Sequence, residues 1–190
     1  MGKTSLLYQF VKNQFSLQYK ATIGADFLTK LIQRGEESIQ LQLWDTAGAE
    51  RYNSMGSSFY RNSEACILVF DLTNPDSFKN IEIWRNEFLN TLNPPDASTY
   101  PFVLFGNKSD LPDINVKNEE IDVYCKEHNN MPYFSTSAKE DINLEQAFNK
   151  VADMAFIRNT KNEETFIPAN TKFLKINKEE PKKKKCCGQN

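Results

Sequence analysis

Residues 101–110, Pro101-Phe102-Val103-Leu104-Phe105-Gly106-Asn107-Lys108-Ser109-Asp110, decide the fold. An apolar run of strand length stops on a cluster of polar residues, and similar runs recur along the chain. Strands are expected at 27–33, 38–44, 65–71, 101–106 and 131–135. Only Arg34-Gly35-Glu36-Glu37 separates the first two, short enough for an antiparallel hairpin, whereas a helix-sized crossover separates each later pair. Strands alternating with helix-period segments give an α/β fold, a mostly parallel sheet with one antiparallel edge and helices on both faces. Asn74-Pro75-Asp76 reads as a cap and first turn, followed by Phe78, Ile81, Trp84, Arg85, Phe88 and Leu92 at helical spacing, a core stripe. Leu144, Phe148, Val151 and Ala155 mark the last helix, and a weaker pattern around Ile121, Tyr124 and Cys125 marks another. His128, the single histidine, suggests neither metal nor acid/base chemistry.

Working outward, charge is unevenly placed. Residues 170–190 carry seven lysines and two glutamates, net +5, so the formal total of −2 leaves −7 for residues 1–169. From about Lys161 the apolar periodicity dissolves into polar residues, and the run Lys182 to Lys185 cannot fold on itself. One domain over 1–159 and a disordered tail over 160–190 are expected. No apolar run approaches the ~20 residues of a membrane span, and the start Met1-Gly2-Lys3-Thr4-Ser5 has no secretory-signal character. Four cysteines, two of them the adjacent Cys186 and Cys187, make no disulfide framework, which points to a reducing, cytosolic setting.

Four fragments carry chemistry. Gly2-Lys3-Thr4-Ser5 opening the helical run Leu6 to Phe10 is the second half of a phosphate-binding loop, in which Lys3 reaches the terminal phosphates and the Thr4 hydroxyl ligates magnesium. The strand Ile39 to Trp44 ends in Asp45-Thr46-Ala47-Gly48, a carboxylate for the metal side and a glycine N–H for a γ-phosphate. In Asn107-Lys108-Ser109-Asp110 the Asp110 carboxylate can accept two hydrogen bonds from the ring N–H and exocyclic amine of guanine, a donor pair adenine lacks. Thr136-Ser137-Ala138-Lys139 offers a backbone N–H to the guanine carbonyl and places Lys139 beside the base.

In these residues the chain resembles the Ras-superfamily small GTPases, and specifically the Rab family, from Gly2 to about Arg158. Ile23-Gly24-Ala25-Asp26-Phe27 resembles the Rab effector-strand signature and Trp44-Asp45-Thr46-Ala47-Gly48 the second-switch signature. Phe59-Tyr60-Arg61 and Leu68-Val69-Phe70-Asp71 match two more. The stretch Tyr19 to Lys30 with Trp84-Arg85-Asn86-Glu87-Phe88-Leu89 is most similar to the late-endosomal branch, Rab seven. The resemblance implies a P-loop NTPase G domain binding GTP or GDP with Mg2+. Its nucleotide contacts fall on Gly2, Lys3, Thr4, Ser5, Phe15, Tyr19, Thr22, Gly48, Asn107, Lys108, Asp110, Ser137, Ala138 and Lys139. Thr4, Thr22 and Asp45 serve the metal, Asp45 through a bound water, and Phe15 stacks on the guanine. Phe27, Trp44 and Phe59 match the effector-facing aromatic triad, for which ordinary packing on a sheet face is the plainer alternative.

The catalytic positions implied are Thr22, Gly48 and Ala49, and here the chain departs from its relatives: the family's water-orienting glutamine is replaced by Ala49, so intrinsic hydrolysis is expected to be slow. A partner supplying Arg and Gln, of the kind the family's activating proteins supply, restores turnover. The family's first strand and the front half of its phosphate loop precede the point at which this sequence starts. The expectation is therefore an N-terminally incomplete version of a working protein, which as written binds nucleotide poorly and folds marginally. Lys182 to Lys185 followed by Cys186 and Cys187 resembles Rab ends that receive two geranylgeranyl groups, two chains plus basic charge being enough for stable anchoring. The resemblance also implies effectors, an exchange factor, a GTPase-activating protein, GDP dissociation inhibitor and Rab escort protein as partners, no nucleic acid, a monomer, and residence on late endosomal, lysosomal or vacuolar membranes with a cytosolic pool. The alternatives are a non-cycling Rab-shaped scaffold or degenerate fragment that binds effectors without hydrolysis, and, more distantly, an adenylate-using P-loop enzyme.

Overall fold

The computed structural model describes residues 1–18, 20–34, 37–48, 60 and 63–165. Helix α1 spans Lys3–Lys12, and two ten-residue strands, β1 (Ala25–Arg34) and β2 (Glu37–Thr46), form the expected antiparallel hairpin with Phe27 opposite Trp44. Strands β3 (Cys66–Asp71), β4 (Phe102–Asn107) and β5 (Tyr133–Ser135) form a parallel sheet in that order. Helices α2 (Pro75–Lys79), α3 (Ile81–Leu92), α4 (Asn118–Glu127) and α5 (Leu144–Thr165) supply the crossovers and the final layer.

The central strands are buried on both faces, and alternate side chains divide between two cores. Val69, Val103 and Phe105 join Leu6, Phe10, Phe148 and Val151 beneath α1 and α5. Leu68, Phe70, Phe102 and Leu104 join Ile81, Phe88, Val116 and Ile121 beneath α2 to α4. Aromatic contacts lock the first core: Phe10 stacks on Phe148 with centroids 4.0 Å apart, and Phe105 meets the same ring edge-on at 5.4 Å.

The stripe expected as one helix after Asn74 is broken at Asn80. Asn74 caps as anticipated, its side chain accepting the Asp76 N–H at 3.1 Å. Ser77 Oγ accepts the Asp71 N–H at 2.9 Å and donates to Asn74 C=O at 2.7 Å, which pins this first turn to the end of β3. After Asn80, α3 lays Ile81 and Phe88 into the core. The final helix continues to Thr165, beyond the point where its apolar stripe ends.

Arg158 ties the far part of α5 to the loops before β3 and β4. Its Nε and Nη2 donate to both Asp96 carboxylate oxygens at 2.9 and 3.0 Å, and its Nη1 donates to Glu64 at 2.6 Å. The guanidinium also lies 4.6 Å from the Tyr100 ring centroid. His128 is a packing residue: Nε2 is 3.1 Å from Glu82, which also accepts the Tyr124 hydroxyl, so α3 and α4 are held together.

Candidate nucleotide and metal site

Strands β3 and β4 end on the polar side chains Asp71 and Asn107, β2 carries Asp45 one residue before its last, and α1 begins beside them. Parallel strands joined by helical crossovers bring such ends to one edge of the sheet, where open α/β folds place their ligands. Gly2 makes the approach: it caps α1 at φ 89°, and a Cβ there would stand 2.8 Å from Asn107 Nδ2. The Asn107 amide then bridges two segments, Nδ2 donating to Met1 C=O at 2.9 Å and Oδ1 accepting the Ala138 N–H at 3.2 Å. One buried side chain thus fixes the start of α1 against the loop after β5.

Three oxygen-bearing side chains meet at the end of β2. Thr4 Oγ1 donates to Asp45 Oδ2 at 2.5 Å, Thr22 Oγ1 donates to the same oxygen at 3.3 Å, and the two hydroxyls lie 2.8 Å apart. Asp45 is 1% exposed, and its Oδ1 has no hydrogen-bond partner among the described residues. Burial pushes this carboxyl above its ordinary range, against the opposing pull of Thr4, Lys3 and Thr22. Burial likewise lowers Lys3, which Asp45 partly supports. Gly48 lies against the same ammonium: a Cβ there would come within 3.0 Å of Lys3 Nζ. The donor set suits a small hard cation such as magnesium, which favours oxygen ligands and keeps several waters. The unpartnered carboxylate oxygen and the adjacent lysine are what a cation with bound phosphates needs. Among the described residues no group of three His, Cys, Asp or Glu side chains forms a metal site, so hydroxyls around a single carboxylate are the arrangement in place.

The second half of the site lies past β4. Ser137 Oγ donates to Asp110 Oδ1 at 2.6 Å and accepts the Glu140 N–H at 3.1 Å, while Ser109 N–H donates to Thr136 C=O at 3.0 Å, so the two loops are stitched together. Ala138 is buried, and Lys139 is half-exposed and paired with Glu140 at 2.9 Å. Lys108 takes φ 68° and its ammonium reaches Asp71 at 2.5 Å. Burial alone would raise the Asp71 carboxyl, but the bonds from Lys108 and Thr73 outweigh it and hold it below the ordinary range. Asp71 is the residue whose role sequence reading missed. The available signal was its position, the last residue of an apolar strand in register with Asn107.

The residues named from sequence therefore separate into groups. Gly2, Lys3, Thr4, Thr22, Asp45 and Gly48 converge at one end, with Ser5 in the same turn of α1, and Asn107, Lys108, Asp110, Ser137, Ala138 and Lys139 gather beside them. Phe15 lies 38% exposed on the segment after α1. Phe27 and Trp44 form a pair on the hairpin surface, 41% and 45% exposed, with centroids 4.8 Å apart. Tyr19, Ala49, Phe59, Cys186 and Cys187 lie outside the described residues. Among the described residues no helix is long and apolar enough to cross a membrane.

Known proteins match the chain along most of its length. The model of the Ras family matches residues 1–156. The chain is 48% identical over 170 residues to a protein named GTP-binding protein yptV5 from Volvox carteri, covering 88% of this chain and 82% of that protein. It is 49% identical over 155 residues to the Ras-related protein Rab7 of Drosophila melanogaster, covering 82% and 75%. With the Ras-related protein Rab-7b of Paramecium octaurelia it shares 42% identity over 192 residues, 98% of this chain and 91% of the other.

Proposed function

The chain belongs to the Ras family as a Rab7-like small GTPase, and from that premise we propose that it is a guanine-nucleotide switch of membrane traffic, recruiting effectors on late endosomal, lysosomal or vacuolar membranes. The observation that carries the reading is the convergence of Thr4, Thr22 and Asp45 within hydrogen-bond distance, from positions up to 41 residues apart, beside Lys3 and Gly48.

In this reading Lys3 and the N–H of Gly48 bind the terminal phosphate, in a setting dry enough to strengthen both interactions. Thr4, Thr22 and Asp45 would hold magnesium, which supplies positive charge to the phosphate oxygens. Asp110 reads the guanine ring, held in orientation by Ser137, and Asn107 keeps the phosphate and base halves at fixed separation. Thr22 belongs to the segment between α1 and β1, so contact with a γ-phosphate and its cation would order that segment and, through β1, present Phe27 and Trp44 to an effector. The tail, with Cys186 and Cys187 as prenyl acceptors after the lysine run, supplies membrane attachment. Residues 1–159 form the switch domain and 160–190 the tether, whose first residues, to Thr165, continue α5 as helix.

The test is nucleotide content and selectivity. Purified protein is expected to release GDP or GTP on denaturation, and to bind a fluorescent GDP analogue that unlabelled GDP displaces and ADP does not. Folded, nucleotide-free protein that ignores both would favour the second reading, a non-cycling scaffold acting only through Phe27 and Trp44, which the exposure of that pair also fits.

A further inference from the structure

His128 closes α4, and both of its ring nitrogens meet oxygen acceptors. Nδ1 lies 2.8 Å from the Tyr124 carbonyl, one turn back along the helix, and Nε2 lies 3.1 Å from Glu82 Oε2 on α3. A carbonyl can only accept, so Nδ1 carries a proton. A neutral imidazole has one N–H, so either tautomer satisfies one of the two oxygens and sets a ring lone pair against the other. The imidazolium donates to both. Placing the second proton on the Glu82 carboxyl instead leaves the count unchanged: the contact holds one proton more than a neutral ring facing a carboxylate. The other titratable groups around it do not supply that proton. From α3, Arg85 Nη1 stands 3.6 Å from the far oxygen of Glu82, which also accepts Asn86 Nδ2 at 2.9 Å. From α4, the Tyr124 hydroxyl donates to Glu82 Oε2 at 2.9 Å, and burial together with that bond holds it above its ordinary range, so it stays a donor. Cys125, whose carbonyl accepts the His128 N–H, is a thiol that burial pushes up, and it stays uncharged.

We propose that the end of α4 is a proton-dependent latch. With both ring nitrogens of His128 protonated, the ring bridges the Tyr124 carbonyl to Glu82 and fastens α4 to α3. With one proton fewer, Nδ1–H keeps the carbonyl, the bare Nε2 faces the carboxylate, and the contact between the helices opens. What the latch holds is a turn that needs holding. Directly after His128 come two consecutive left-handed residues, Asn129 at φ 58° and Asn130 at φ 51°, and the turn closes with Met131 N–H donating to Cys125 C=O at 3.0 Å. Residues in that region persist where their surroundings over-determine them. The ring supplies one restraint, packed on Tyr124 with centroids 4.1 Å apart, and Asn129 Nδ2 supplies another by donating to the Ser98 carbonyl in the loop after α3. Strand β5 starts two residues beyond Met131, so the latch governs how the chain enters it. The sign is opposite to that of the carboxylate pair at Arg158: the latch contributes stability where the ring is protonated and loses it as pH rises.

The test compares the full chain at about pH 5.5 and about pH 8.5, on either side of the range in which imidazoles titrate. Nitrogen-15 NMR of the single histidine ring should show both nitrogens protonated at the lower pH and the Nδ1–H tautomer at the higher. An Nε2–H tautomer at the higher pH would mean that the Glu82 bond outlives the proton, and would overturn the proposal. This reading uses the unsubstituted chain, so it stands even where a variant fails to fold. The protection factor of the Met131 amide should fall at least tenfold between the two conditions in the parent and less than twofold in His128→Gln. A double-mutant cycle of His128→Gln with Glu82→Gln, read by urea denaturation, removes what Glu82 does for Tyr124, Asn86 and Arg85. The coupling should favour the folded state at least threefold at the lower pH and vanish at the higher. Equal coupling at both, or a Met131 amide equally protected at both, would assign the cluster to packing alone and overturn the latch.

Discussion

Replacing Asp45 by asparagine should move stability and metal-dependent binding in opposite directions. The side chain is 1% exposed, one oxygen accepts from Thr4 and Thr22, and the other accepts from nothing among the described residues. Asparagine keeps the shape and an acceptor for the hydroxyls. Two charge-assisted bonds become neutral ones, a loss of about 1 kcal/mol each. Against that stands removal of a buried carboxylate, whose desolvation costs several kcal/mol in a real interior. Lys3 then stands without its supporting charge, which takes back part of the gain. The balance is a stabilisation of about 1–2 kcal/mol at pH 8 without nucleotide, read as a higher urea midpoint at unchanged slope. The sign with pH follows from the direction of the shift. Burial raises the folded-state pKa of Asp45, so its carboxyl favours folding below the ordinary carboxylate range, and that contribution is lost as pH rises through the raised value. The advantage of the asparagine protein should therefore shrink toward zero below pH 4. Magnesium-dependent affinity for a fluorescent GDP analogue should fall at least tenfold, with little change in EDTA. A destabilised variant at pH 8, or affinity unchanged in magnesium, would refute the reasoning.

Arg158→Ala removes a forked ion pair whose guanidinium side is 13% exposed and whose carboxylates, Glu64 and Asp96, are 28% and 33% exposed; a loss of about 1–2 kcal/mol is expected by urea denaturation. Asp96 is held below its ordinary range chiefly by the bonds from Arg158, so this contribution exists above the carboxylate range and disappears as pH falls through the lowered value. The variant and the parent should converge in acid, and parallel stability curves would contradict that. Gly2→Ala combines φ 89° with a Cβ 2.8 Å from Asn107 Nδ2, and should cost about 1–3 kcal/mol and loosen the start of α1 in amide exchange. Ala49→Gln should speed single-turnover GTP hydrolysis at least tenfold, and equal rates would remove the significance given to that position.

Much of the fold was legible because its strands are apolar runs bounded by polar ends, and each lies within two residues of its expected bounds. The break at Asn80 was not legible. Beside it Ser77 accepts the Asp71 N–H, a side-chain bond to the end of β3 that leaves no trace in a helical period. Thr22 entered only through resemblance, since a threonine between a helix and a strand carries no signal of its own. Its meeting with Thr4 and Asp45 depends on how the segment between α1 and β1 folds back. Asp71 belongs to a family-like motif and also closes its strand, as Asn107 does, and that position was the signal for its role.

That shared placement explains why one short edge can carry both halves of a nucleotide site. A buried strand cannot accommodate a charge along its length, so polar side chains collect where it emerges, and parallel neighbours emerge together. Asp71 and Asn107, on neighbouring buried strands, are two consequences of that constraint, and with Asp45 of the hairpin each is tied to a different partner segment: Asp45 to Thr4 and Thr22, Asp71 to Lys108, and Asn107 to Met1 and Ala138.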